Sequence, residues 1–154
     1  MTQRLALVTG GEGGIGTEIC RQLAAQGRRI VTTCLDPEQE NIEQWAQNLR
    51  DEGIEADWVV CNVADYSACE AMAEDVRKRF GEVDILVNVA GITRDGFLHK
   101  MENEQWRSVI DINLSGAFNV TRQFVAGMRE RGFGRVVNIS SVNGQTGQFG
   151  QTNY

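Results

Sequence analysis

Five short apolar runs punctuate the chain, at RLALVT (4–9), RRIVTT (28–33), EADWVV (55–60), VDILVN (83–88) and GRVVNIS (134–140). They are rich in valine and isoleucine and nearly continuous, the pattern of strands covered on both faces. Longer amphipathic stretches separate them, so strand and helix alternate. That alternation predicts an α/β fold: a doubly wound parallel sheet with helices on both faces. Right-handed crossovers put the helices between the first three strands on one face, and reversal at the fourth strand sends later helices to the other. The fourth and fifth strands are then left bare on the first face, an exposed apolar patch. From Glu102 to about Arg131, residues Trp106, Val109, Ile110, Leu114, Ala117, Phe118, Phe124, Val125 and Met128 recur at spacings of three and four. This predicts one long helix with a single apolar stripe. Asn113 falls on that stripe, where packing favours a hydrocarbon.

Composition narrows the picture. The 154 residues include one proline and no low-complexity linker, which predicts a single domain over 1–154. Hydrophobic residues at 42% and charged residues at 23% are ordinary globular usage. A net charge of −6 offers no positive field to a phosphate backbone, so nucleic acid is not an expected partner. The opening MTQRLALVTG carries only four apolar residues in a row, short for a secretory segment, and no run reaches membrane-spanning length. Cys20, Cys34, Cys61 and Cys69 show no C-x-x-C spacing and read as reduced thiols of a cytoplasmic protein. With His99 the single histidine, a Ser-His-Asp triad and the common zinc sites lack parts, and no metal is expected.

Directly after the first apolar run comes TGGEGGIG, five glycines in eight positions. Gly11 to Gly16 fit G-x-G-x-x-G, and Thr9 to Gly16 fit T-G-x-x-x-G-x-G. The motif follows a strand and opens the amphipathic IGTEICRQLAAQG, which Gly27 terminates. In that setting glycines admit a pyrophosphate to the backbone, and amides at the helix N-terminus receive its charge. Gly10, Gly11, Gly13, Gly14, Ile15 and Gly16 are therefore candidate cofactor-binding residues in a Rossmann-type domain. Asp36, twenty residues after Gly16, is placed to accept hydrogen bonds from an adenosine ribose. The same residue also reads as an N-cap, with Pro37 first in a helix and Gln39 as capping partner. A 2'-phosphate would meet Asp36, Glu38 and Glu40 without a basic residue in the glycine loop, so NAD(H) is favoured over NADP(H).

With NVAG at 88–91, Asn113 in a long helix, and NISS placing Ser141 thirteen residues before Tyr154, the chain resembles the short-chain dehydrogenase/reductases along its whole length. AGITRD, GMRERGFGRVVNISSVNGQTGQFGQTNY and the opening MTQR are similar to the acetoacetyl-CoA reductases within that family. The resemblance implies that Asn113, Ser141 and Tyr154 are catalytic: Ser141 polarising a carbonyl and Tyr154 acting as general acid as hydride arrives from nicotinamide. Read without the family, Ser141 is equally a turn former, Tyr154 a surface aromatic and Asn113 a helix irregularity. The resemblance further implies that Asn62 and Val63 flank the adenine and that Asn88, Ala90 and Gly91 line the ribose side. The family's usual second asparagine is Val89 here, and its usual aspartate is Asn62. Asp95, Gln148, Phe149 and Gln151 are implied to line the acyl pocket, although Phe149 also reads as a core plug and the others as ordinary loop polarity.

The implied substrate is an acyl-CoA, the reaction reduction of a 3-oxoacyl thioester such as acetoacetyl-CoA, and the implied assembly a homotetramer. The alternatives are a 3-oxoacyl-carrier-protein reductase and a non-catalytic dinucleotide-binding module. The family motif continues as Tyr-x-x-x-Lys, whereas this sequence ends at Tyr154. The expectation is a domain lacking the family's C-terminal part, whose catalysis is feeble without the lysine. For an intact protein the charge argument gives a higher kcat/KM with NADH than with NADPH, to be read from steady-state kinetics with both nucleotides; the reverse order overturns it.

Overall fold

The computed structural model describes residues 3–38 and 41–154. Strands β1 (Leu5–Thr9), β2 (Arg29–Cys34), β3 (Ala56–Val60), β4 (Val83–Asn88) and β5 (Arg135–Asn138) form one sheet in the order β3-β2-β1-β4-β5. Every pairing is parallel, with Leu7 opposite Val31 on one side and Leu86 on the other. All five predicted strands are present. The order reverses between β1 and β4, and the C-terminal ends of those strands open a crevice there.

The strand period of two assigns alternate side chains to two cores. Leu5, Leu7 and Val31 pack with Cys69, Met72 and Val76 of α3 (Tyr66–Phe80) and with Val120, Phe124 and Met128 of α5 (Gly116–Glu130). Ala6, Val8 and Ile30 pack with Cys20 and Leu23 of α1 (Gly14–Ala25) and Leu49 of α2 (Ile42–Asp51). The two-faced arrangement predicted from crossover handedness is the one observed. The predicted bare region is present too: Ile15, Ile19 and Leu23 of α1 face Ile85, Val87, Val137 and Ile139 across an apolar groove of 580 Å³.

Between β4 and β5 the single predicted helix is broken into three segments of different winding. α4 (Asn103–Val109) runs into a π-helical segment, Ile110–Ser115, before α5 resumes ordinary winding. A π turn spends an extra residue and rotates the helix beyond it. The apolar stripe therefore divides: Val109, Phe124 and Met128 are buried, whereas Leu114 is 66% and Phe118 62% exposed. The reading of those residues as one buried stripe is corrected accordingly. A second correction concerns Asp36 as helix cap. α2 begins only at Ile42, after Asn41 in the left-handed region at φ 49°. Asp36 instead turns the loop by accepting the Glu38 N–H at 3.0 Å. Gln39 and Glu40 lie outside the described residues.

Among the described residues no helix is long and apolar enough to cross a membrane, and no cluster of metal-ligating side chains occurs. The four cysteines are unbridged and buried.

β2 carries a fully buried threonine, Thr32, whose hydroxyl accepts the Gly11 N–H at 2.8 Å and donates to the Val8 carbonyl at 2.8 Å. Thr32→Val leaves the buried Gly11 N–H without an acceptor and should cost about 1–3 kcal/mol. Urea unfolding of this variant against Thr32→Ser, which keeps the hydroxyl, measures the loss; equal stability of the two contradicts the assignment.

Candidate functional site

The glycine loop is shaped by what a Cβ would strike. Gly10 sits at φ +65°, which favours glycine, and a Cβ there would crowd the Ala90 backbone at 3.1 Å. At Gly16 a Cβ would fall 2.2 Å from the Gly10 carbonyl oxygen and 2.6 Å from the Gly11 Cα. Helix α1 can press its first turn this close to the end of β1 only because position 16 has no side chain. Gly13 is its N-cap, with no side-chain cap hydrogen bond and no acidic residue in the first turn. The amides of that turn, without an intrahelical acceptor, form a concentrated positive end.

Those amides border a cleft of 390 Å³ lined by Gly10, Gly13, Gly14, Ile15 and Gly16, by Asn62 and Val63 after β3, and by Ala90 and Gly91 after β4. Nine sequence-predicted cofactor residues are thus brought to one cavity. Gly11 is a different case. It is buried against Thr32 and Cys20, and its N–H is spent on Thr32 rather than facing the cleft. Asn88 also departs from the expectation that it lines the ribose side. It is buried and its Nδ2 donates to Thr121 Oγ1 at 3.1 Å and Asn138 Oδ1 at 2.8 Å, tying β4 to β5 and α5. Asp36 is not among the residues that line the cleft, although Thr33 and Leu35 before it are.

Sequence reasoning missed the threonines that hold the cleft. Thr9 Oγ1 accepts the N–H groups of Val89 and Ala90, both at 3.1 Å, fixing the β4 loop against β1. Val89 keeps this main-chain bond although its side chain lacks the family's amide. Thr33 lines the cleft and its hydroxyl accepts the Gly10 N–H at 3.4 Å. The available signal was VTTC itself, two hydroxyls in a strand otherwise fit for hydrocarbon. Cys20 packs beneath the loop, where burial, reinforced by the charge of Glu12, pushes its thiol up to about 12 and keeps it protonated.

Asn113 lies within the π segment, and its amide is engaged at both ends with one residue. Oδ1 accepts the Ile92 N–H at 2.8 Å and Nδ2 donates to the Ile92 carbonyl at 2.9 Å. Ile92 lines the cleft, so the asparagine on an apolar stripe is a strut for the cleft wall. Ser141 is half-buried and its Oγ accepts the Asn143 N–H at 3.2 Å, at the entry to the short helix α6 (Asn143–Thr146). The Tyr154 side chain is 40% exposed. Among the described residues no hydrogen bond joins Asn113, Ser141 and Tyr154 directly.

Two loops carry the remaining candidates and are laced together. Gly96 N–H donates to the Gly150 carbonyl at 2.8 Å, and Gln151 Nε2 donates to both Asp95 carboxylate oxygens at 3.2 and 3.1 Å. Gln151 Oε1 accepts from Asn143 Nδ2 at 3.0 Å, and Tyr154 N–H donates to the Gln151 carbonyl at 3.1 Å. Asn153, buried, donates to the Arg94 and Gln105 carbonyls. Phe149 stacks edge-on against Phe97 at 5.2 Å and is 80% exposed, so it is no core plug. Gln148 lends its carbonyl to the Gln151 N–H at 3.1 Å. Asp95, Phe149 and Gln151 therefore share one rim with the segment that carries Ser141 and Tyr154.

Comparison with known proteins agrees with this geometry. The family model described as short chain dehydrogenase matches residues 4–154. The acetoacetyl-CoA reductase of Cupriavidus necator is 51% identical over all 154 residues, which span 62% of that protein. The 3-oxoacyl-(acyl-carrier-protein) reductase of Escherichia coli is 40% identical over 152 residues, 98% of this chain and 60% of that protein. A solved variant of actinorhodin polyketide ketoreductase with NADPH superposes with a TM-score of 0.93 at 39% identity, covering 99% of this chain and 58% of that one. The chain spans about three fifths of the length of the relatives it matches. With its parallel sheet, glycine loop and uncapped first helix, the chain belongs to the short-chain dehydrogenase family.

Proposed function

We propose that the cleft binds a nicotinamide dinucleotide and that the intact protein uses it to reduce a 3-oxoacyl thioester, with acetoacetyl-CoA as substrate. The observation that carries the reading is the uncapped N-terminus of α1 opening on a 390 Å³ cleft with glycines packed against β1. A diphosphate supplies the negative charge those amides lack. The bound nicotinamide supplies hydride, and this chain's own residues bind and orient it.

In this reading Ser141 Oγ donates a hydrogen bond to the substrate carbonyl and the Tyr154 phenol delivers the proton. Asn113 serves as a positioning residue, since both ends of its amide hold Ile92 at the cleft. Asp95, Gln148, Phe149 and Gln151 form the acyl rim, where the exposed Phe149 and Phe97 rings offer apolar surface to a short acyl chain. Asp36 and Glu38, with Glu12 on the cleft wall, oppose a 2'-phosphate, which is why NAD(H) is preferred in this proposal even though the solved ketoreductase holds NADPH. Exposed Leu114 and Phe118 give the intact protein apolar surface for assembly as a homotetramer.

The E. coli relative supports a second reading, in which the thioester is carried on a carrier protein rather than on CoA. Comparing the two thioesters at equal concentration separates them.

Two outcomes test the main proposal. Gly16→Ala should weaken NADH binding about tenfold or more in a fluorescence titration, because the added methyl drives α1 away from the loop; an unchanged Kd refutes the placement. In an intact protein Ser141→Ala should lower kcat about 10²-fold or more while leaving NADH affinity in place. Retained turnover in that variant removes Ser141 from the chemistry.

A further inference from the structure

Cys61 follows the last residue of β3, and Cys69 sits in the first turn of α3. Their Sγ atoms are 3.8 Å apart, in hydrogen-bonding contact, with both residues buried. Cys61 nonetheless lines the cleft, so its surroundings are reached through the opening that Asn62 and Val63 also border. Those two residues lie between the cysteines in sequence. Cys69 Sγ approaches the Val63 carbonyl at 3.6 Å and the Asn62 carbonyl at 3.9 Å, and so packs against the connection it would tighten.

We propose that Cys61 and Cys69 form a reversible disulfide when a peroxide enters the cleft, and that closing this bond weakens nucleotide binding there. The second half rests on the cofactor reading above; the first does not. Cys61 Sγ attacks one peroxide oxygen, the O–O bond breaks, and the departing hydroxide leaves with the thiol proton as water, giving a sulfenic acid. Cys69 Sγ then attacks that sulfur and displaces hydroxide, which takes the Cys69 proton as a second water. Two thiols lose two electrons and the peroxide gains them. The sulfurs must close from 3.8 Å to about 2.05 Å, a movement the 62–65 connection has to absorb. That connection carries Asn62 and Val63 on the cleft wall, which couples the bond to the cavity.

The other two thiols are kept out of this chemistry. Cys20 is packed under the glycine loop and Cys34 Sγ donates to the Val59 carbonyl at 3.7 Å, and neither lines the cleft. Within the pair the shared hydrogen bond holds Cys69 below the ordinary thiol range and, with burial, pushes Cys61 above it; position on the cleft, not acidity, makes Cys61 the sulfur a peroxide meets first and leaves Cys69 to resolve.

The experiment is treatment of the protein with hydrogen peroxide, followed by mass spectrometry and NADH titration. Both cysteines fall in tryptic peptide 51–77, which contains neither Cys20 nor Cys34. The expected result is a loss of about 2 Da from that peptide, reversed by dithiothreitol, with NADH affinity about fivefold or more weaker in the oxidised form. No mass loss, a gain of about 16 Da without a crosslink, or a bridge to Cys20 or Cys34 overturns the proposal. A crosslink with unchanged NADH affinity overturns its coupling to the cleft. If the reduced protein fails to bind NADH, the cofactor reading falls and the coupling with it, whereas the crosslink stands or falls on mass alone.

Discussion

The contact on which the cleft depends is the one between two glycines, Gly16 at the start of α1 and Gly10 at the end of β1. With 2.2 Å from a hypothetical Cβ to a carbonyl oxygen, no side chain of any kind fits between helix and strand. The closeness aims the α1 amides into the crevice instead of over it. It would be of little use if the loop moved, and the threonine hydroxyls prevent that: Thr32 holds Gly11 from β2, and Thr9 holds Val89 and Ala90 from β1. Three neighbouring strands thus lock one binding surface through hydroxyl-to-main-chain hydrogen bonds that no ligand has to make.

The parallel sheet and the division of helices between faces were legible because they follow from hydrophobic continuity and crossover handedness, which act over many residues at once. The glycine loop was legible because its neighbours, a strand before and a helix after, gave the spacing a meaning. Single-residue assignments fared differently. Asn88 has the composition of a binding residue, yet the partners that claim its amide, Thr121 and Asn138, are remote in sequence and become visible only when β5 pairs with β4. Gly11 matched the motif as well as its neighbours did, but its amide had already been taken by a threonine from another strand. Asp36 followed a pattern suited to a cap, and the chain postponed the helix by turning left-handed at Asn41.

The loops beyond the cleft show a related division of labour. Asp95, Gln151, Asn143 and Asn153 are polar residues on exposed segments, and much of their hydrogen bonding is to one another or to main chain. Their first consequence is to seat the 148–154 segment against 94–96, which holds Phe149 on Phe97. Residue type alone does not distinguish such lacing from substrate contact, since both need the same amides and carboxylates.

The π segment constrains how this chain can change. A π turn takes up one residue more than an α turn over nearly the same rotation, so removing one position within 110–115 would restore regular winding and leave the two flanking helices close to their present phase. Val109, Phe124 and Met128 would keep their buried side, and the local placement of Asn113, which holds Ile92 at the cleft, is what would change. The irregular winding thus lets the helix carry an additional residue beside the cleft without disturbing how its two ends pack.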